Sequence, residues 1–223
     1  MKLLRSLFLT VLSLGAVASL ASAAAQPFKI DQSHTVVGFS VRHFFGKVPG
    51  RFNDFAGTLN LDEKDLTQSS VDVTIQSKSI FTNNERRDNH LRSGDFFAAD
   101  SFPTLTFKST KITKDGDKYK VAGDLTMRGV TKPVVLDASL LGIGKVDVEG
   151  HDSGYRANFE ATTTVNRKDF GINWNRTLDQ GGTLLGDDVT INLEVEAVKQ
   201  AAENGKAATN AKVDPEEGSA KKK

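Results

Sequence analysis

Thr35-Val-Val-Gly-Phe-Ser-Val-Arg-His43 alternates without a break. Thr35, Val37, Phe39, Val41 and His43 fall on one face of an extended chain, and Val36, Gly38, Ser40 and Arg42 on the other. The same two-residue period recurs along the chain. Phe55, Gly57, Leu59 and Leu61 share a face in 51–61, and Val71, Val73 and Ile75 in 70–80. Leu105 and Phe107 follow in 104–112, then Tyr119, Val121, Leu125 and Met127 after an Asp115-Gly116-Asp117 turn. Val134, Leu136, Ala138 and Leu140 make a sixth set, Tyr155, Ala157, Phe159, Ala161 and Val165 a seventh, and Val189, Ile191, Leu193 and Val195 an eighth. Eight strands with one apolar and one polar face predict an all-β fold, an eight-stranded antiparallel sheet closed into a barrel. Closure removes the edges that invite aggregation. A two-sheet sandwich is the competing architecture.

The period fails in one place, Asn84 to Phe107, between the third and fourth strands. Arg86, Arg87, Arg92 and His90 stand there beside Phe96, Phe97 and Phe102. A short helical insert would put Arg87, His90, Leu91 and Gly94 on one face, and would let Asp88 pair with Arg92 four residues on. Such an insert is either a lid presenting cations at the edge of an apolar space or a surface helix with ordinary salt bridges. A second polar cluster, Val165 to Arg176, follows the seventh strand. Arg167 is in phase with Phe159, Ala161 and Val165, and Asn173 and Trp174 are placed to cover an opening. An exposed loop with Trp174 packed on it is the plainer alternative.

Small residues in the inward set (Gly57, Gly123, Ala138, Ala157 and Ala161) stand among Phe39, Phe55, Phe107, Tyr119 and Phe159. Either they leave volume along the barrel axis or large neighbours fill it. His43 ends its strand on the apolar face, as a core group or as a hydrogen-bond donor near a barrel mouth.

The two ends of the 223-residue chain differ from its middle. A basic start, an uncharged apolar run from Leu7 to Leu20 and Ala21-Ser22-Ala23 predict a secretory signal peptide over 1–23. The run is short for a bilayer span. From 199 to 223 the chain is Lys, Ala, Glu, Asn and Gly with few large apolar residues, which predicts a disordered polar tail. Its three terminal lysines admit weak, transient contact with an anionic membrane surface, although a solvated tail is the simpler reading. One domain is expected between them, over 24–198.

Without residues 1–23 the chain has 27 basic and 28 acidic residues, a balance unsuited to coating nucleic acid. It has no cysteine, so neither disulfides nor thiol chemistry are available. The histidines His34, His43, His90 and His151 lack metal-ligand spacing, and no metal or cofactor is expected. No Gly-x-Ser-x-Gly turn and no glycine-rich phosphate loop occurs. A binding protein is therefore expected, not an enzyme. An enzyme using His43 and Asp88 as acid and base is the alternative, and an interaction module with a filled core is another.

Several motifs stand in order: Phe39-Ser-Val-Arg-His43, Gly50-Arg-Phe52, Ser79-Ile80, Arg87-Asp-Asn-His-Leu91, Asp95-Phe-Phe97, Phe102-Pro-Thr-Leu-Thr-Phe107, Gly123-Asp-Leu-Thr-Met-Arg-Gly-Val-Thr-Lys-Pro133 and Asn166-Arg-Lys-Asp-Phe-Gly171. Together they resemble the YceI-like family from about Phe28 to Val198. The resemblance implies a lipocalin-like barrel in the periplasm. Its apolar cavity would hold a polyisoprenoid chain, as an isoprenoid quinone, a polyprenyl phosphate or a similar amphiphile. Transport, storage or stress tolerance would be the role, and homodimers occur in the family. The tail would contact Phe39, Val41, Phe55, Val73, Phe107, Tyr119, Leu125 and Phe159, each buried methylene contributing about 0.8 kcal/mol. Arg86, Arg87 and Arg167 suit a phosphate head, His43 and Asn173 a quinone head, and Trp174 the rim.

Overall fold

Residues 25–201 are described by a computed structural model; the expected signal peptide over 1–23 and residues 202–223 of the expected polar tail lie outside them, whereas Lys199, expected to open that tail, ends the last strand opposite Phe28 and pairs with Glu63. Eleven strands and one α-helix follow in order: β1 (Gln26–Ile30), β2 (Val36–His43), β3 (Gly46–Phe52), β4 (Phe55–Leu61), β5 (Ser70–Gln76), β6 (Ile80–Phe81), α1 (Glu85–Arg92), β7 (Thr104–Asp115), β8 (Lys118–Met127), β9 (Val130–Val148), β10 (His151–Asn166) and β11 (Leu185–Lys199). All pairings are antiparallel. The ring runs β1-β4-β5-β7-β8-β9-β10-β11 and returns to β1, so it has eight strands and closes on itself. β2, β3 and β6 extend three members of that ring. β2 continues β1, β3 leads into β4 and β6 continues β5, so that β2 pairs β3 from His43↔Gly46 to Val37↔Phe52 while β1 pairs β4 from Lys29↔Thr58 to Gln26↔Leu61. The eight alternating runs of the sequence are these eight staves, three of them broken at mid-height. The helical insert lies between the third and fourth staves.

Each break is sealed locally. Between β1 and β2 the chain leaves the ladder at 31–35. There Asp31 N–H donates to the Glu196 carbonyl at 2.9 Å, and Thr35 Oγ1 accepts from Glu196 N–H at 3.0 Å. The partner strand β11 thus keeps its backbone bonds while it passes from β2 to β1, as buried backbone requires. On the outer wall beside this break, Asp31, His34 and Glu196 come together. The Arg156 guanidinium pairs with both carboxylates and supplies their countercharge. Hydrogen bonds from Ser33 and His34 hold the Asp31 carboxyl well below its ordinary range.

Irregular pairing decides which side chains face inward. Register slips between Ser109 and Lys111 in β7, so the inward series passes from Leu105 and Phe107 to Ile112. The β8–β9 hairpin turns on Arg128 and Gly129, both with positive φ (52° and 74°), the geometry of a two-residue hairpin turn. A Cβ on Gly129 would stand 2.7 Å from the Phe102 ring, so glycine is required there twice over.

The barrel has two ends. At the lower end Phe28, Ile30, Phe55, Leu59, Leu61, Ala157 and Ala197 form a closed apolar cluster. The Asp62–Ser69 turn crosses beneath it, held by the buried Asp62 carboxylate, which accepts from the N–H groups of Lys64 and Asp65. At the upper end lie the β2–β3 turn, α1 with the segment to 103, the β8–β9 turn and the 167–184 loop.

Candidate functional site: an apolar cavity with a cationic mouth

The barrel interior is not filled. A cavity of about 690 Å³ runs from His43 and Arg86 at the upper end to Leu61, Leu66 and Ser69 at the lower. This lies within the range of small-molecule sites. β11 alone lines it with Leu185, Val189, Ile191, Leu193 and Val195. Ten residues of strand at ~3.3 Å each, tilted by ~40°, give roughly 25 Å of depth along the axis. The space is a deep, narrow tunnel closed below.

All eight residues expected to meet a tail (Phe39, Val41, Phe55, Val73, Phe107, Tyr119, Leu125 and Phe159) line this cavity. They come from six different strands, which only ring closure brings together. Of the five small inward residues, Ala138 and Ala161 line the cavity. Gly57 and Gly123 do not, because neighbours lie over them: a Cβ would meet Ile30 Cδ1 at 2.8 Å and the Phe107 ring at 2.5 Å. Ala157 is wholly buried in the lower cluster. Two small residues therefore leave room and three seat large partners. Among the described residues no buried side-chain nitrogen or oxygen lacks a hydrogen-bond partner. Below the mouth the tunnel wall is aliphatic and aromatic apart from Thr35, Ser69, Tyr119 and Thr163.

Polarity gathers at the mouth, where His43, Thr82, Asn84, Arg86, Arg87, His90, Arg167, Trp174 and Arg176 reach the cavity. α1 places three of them. Asn84 caps it, accepting from Arg87 N–H at 3.0 Å, and Glu85 and Asp88 lie in the first turn where the helix dipole favours them. Its inner face carries Arg87, His90 and Leu91, the face expected from the spacing. The expected Asp88–Arg92 pair does not form. Buried Asp88 accepts instead from the N–H of Thr82 at 2.9 Å and from its hydroxyl. Arg92 donates to the carbonyls of Lys78 and Ile80, both at 2.8 Å, stapling the helix to the third stave. Carbonyl and carboxylate acceptors within reach of the strand outcompete a solvent-exposed helix pair. Asp88 does not line the cavity, so the geometry does not present it with His43 as an acid–base pair.

Arg86 makes no ion pair or hydrogen bond among the described residues. Arg87 commits Nε and Nη2 to Thr82, both at 2.7 Å. Arg167 is different. It is only 3% exposed, and its guanidinium donates to the carbonyls of Gly186, Ile172 and Trp174 and to the Asp187 carboxylate. Burial pushes the Arg167 guanidinium down from its ordinary value, against the pull of Asp187. Lys168 and Arg167 in turn hold the Asp187 carboxyl low. Arg167 faces the cavity with its donors already committed, and its geometry is that of a clasp on the rim loop.

Asn173 is exposed and does not line the cavity. The loop alternates there, so Ile172 and Trp174 turn inward and Asn173 outward. Trp174 packs edge-on to His90 at 4.9 Å and against Phe96 at 5.2 Å, which joins the loop to the insert. The His90 ring also bonds Asp95 at 2.8 Å. Sequence reading passed over Arg176, whose guanidinium lies 5.9 Å from the Trp174 ring centre. An arginine two residues beyond an inward tryptophan was the available signal.

Trp174 is the chain's one tryptophan. A ligand filling the tunnel through this mouth is expected to shift its emission to the blue, saturating with occupancy. An unchanged spectrum, with binding shown independently, would mean that ligand does not sit beneath this ring.

The family model for the YceI-like domain matches residues 28–197. A UPF0312 protein of Pectobacterium atrosepticum is 44% identical over 197 residues, covering 86% of this chain and 97% of its own. The crystal structure of the Campylobacter jejuni YCEI protein superposes with a TM-score of 0.60 at 34% identity, covering 70% of this chain and 87% of that one. A polyisoprenoid-binding domain from Saccharophagus degradans, implicated in plant cell wall breakdown, superposes with a TM-score of 0.54 at 12% identity, covering 78% and 98%. That last likeness is one of fold. With its closed barrel, its apolar tunnel and these relatives, the chain belongs to the YceI-like family.

Proposed function

We propose that this protein holds a polyisoprenoid amphiphile in the barrel, tail inward and head at the cationic mouth. The observation that carries the reading is the division of the cavity: a blind apolar tunnel below and cations gathered at one end. The polyisoprenoid-binding domain that shares the fold supports the choice of ligand class. A tail of many methylenes offers about 0.8 kcal/mol for each one buried, offset in part by ordering the chain. The tail sets affinity, and the head sets orientation.

The guanidinium of Arg86, without a partner among the described residues, and the remaining Nη1 of Arg87 suit a phosphate head. A quinone carbonyl would take its hydrogen bond from His43. The proposal includes export through the signal peptide expected over 1–23, with carriage, storage or protection of the lipid in the periplasm as the role, and assigns no reaction. No helix among the described residues is long and apolar enough to cross a membrane. Native mass spectrometry of protein purified gently from its own host tests the proposal. The expected spectrum shows an added mass that lipid extraction identifies as polyprenyl. Protein that is repeatedly empty, and that refuses added polyprenyl lipid, would refute it.

A further inference from the structure

The β2–β3 hairpin turns on Phe44 and Phe45, at the mouth of the cavity. Phe45 is 99% exposed and Phe44 45%, the former the most exposed large apolar residue described. Phe44 also carries φ of 52°. The first position of a two-residue hairpin turn favours glycine, asparagine or aspartate, and a bulky side chain there is strained. Neither exposure nor strain helps the fold. The tip is nonetheless held firmly. Phe44 N–H donates to the Leu184 carbonyl at 3.0 Å, Arg42 donates to the Phe44 carbonyl at 3.0 Å, and the His43 ring packs edge-on to Phe44.

Cations surround this tip. Lys47 lies exposed on the outer wall of the same hairpin, opposite Arg42, and Arg86 and Arg176 reach the mouth. Lys47 and Arg86 have no partner among the described residues. Glu85, Asp95, Asp100, Asp169 and Asp179 are exposed at the same end and reduce its net charge, so aromatic insertion must supply much of any attachment.

We propose that this end docks on an anionic phospholipid bilayer, with Phe44 and Phe45 inserted at the interface and Lys47, Arg86 and Arg176 against the headgroups. Exposed aromatics fit the interface, where an apolar ring meets a polar layer. Basic residues within a Debye length of such a surface are attracted to it. Docked this way, the mouth opens towards the lipid phase, and an amphiphile passes between bilayer and tunnel with its tail little exposed to water. The proposal rests on the reading of the tunnel as a lipid site.

Co-sedimentation with vesicles tests it, using phosphatidylglycerol mixed with phosphatidylcholine against phosphatidylcholine alone. The wild-type chain is expected to bind the anionic vesicles more strongly, with binding falling as salt rises. Phe45→Ser is expected to weaken binding about tenfold or more, the scale of one buried phenyl ring. Lys47→Glu is expected to weaken it by about fivefold or more. The double change Phe44→Gly with Phe45→Ser supplies residues suited to a turn with positive φ at its first central position alone, and is expected to raise the melting temperature while abolishing docking. Neither Phe45 nor Lys47 lines the cavity, so uptake of a detergent-dispersed polyprenyl phosphate, read at Trp174, should be unchanged in each single variant.

Absent wild-type binding, or equal binding by Phe45→Ser, would overturn the proposal. So would capture of a protein by the tip with vesicles ignored, or loss of detergent-dispersed ligand in Phe45→Ser, which would make the tip part of the gate. Phe45-dependent docking by a chain that takes up no lipid would uphold the surface and overturn the tunnel reading.

Discussion

Arg167→Ala is expected to lower the unfolding free energy by about 3–5 kcal/mol, the usual cost of removing one partner from a buried charged network. The guanidinium holds three carbonyls and a carboxylate at the base of the 167–184 loop, at 2.7–3.1 Å. Alanine leaves the Gly186 and Ile172 carbonyls without that donor and strands Asp187 with Lys168 alone. Arg167→Lys is expected to recover only part of the loss, because one ammonium cannot match a fork that serves acceptors on two sides. Urea titration checks this. A loss below about 1 kcal/mol would show that the loop is held by other contacts. Trp174 is carried by the same loop, so its emission in the variant should move towards that of an exposed indole.

Phe159→Arg is expected to reduce uptake of polyprenyl lipid by about a hundredfold or more. Phe159 sits between Leu140 and Val195 in the register of β10 and faces the lower part of the tunnel, against the lower cluster. A guanidinium there has no carboxylate to meet and must carry water into the path of the tail. Ala161→Phe, one inward position along, gives an uncharged control that narrows the tunnel. Overpacking costs ~1–3 kcal/mol, so a folded variant is expected. Its uptake should fall most for the longest tails. Full uptake by both variants in folded form would remove the tunnel as the site.

Much of this site was legible in the chain because one rule places it. Strand alternation fixes the inward side chains once closure is assumed, and Phe39, Tyr119 and Phe159 meet in the tunnel for that reason alone. The helix face of Arg87, His90 and Leu91 was legible too, through its spacing. What alternation does not encode is which polar group a side chain finds. Arg167 lies inward as its phase demands, yet three carbonyls of a folded loop meet it there, and no spacing announces them. Asp88 follows the same logic, taken by Thr82 instead of Arg92. Gly57 and Gly123 look like free volume in the sequence, because the rotamers that lay Ile30 and Phe107 across them belong to packing. The breaks between β1 and β2 and between β3 and β4 were hidden as well, since a residue or two out of register leaves the average period intact.

Phe28 lies opposite Lys199 in the ladder, and Gln26 opposite Leu61. The start and finish of the described chain thus leave side by side from the sealed pole, a full barrel height from the doorway. Anything joined at either of these two points hangs beneath the vessel and leaves its brim clear. Anchored to a sensor surface at Gln26 or Lys199, the protein would stand upright like a cup, ready to be filled from solution.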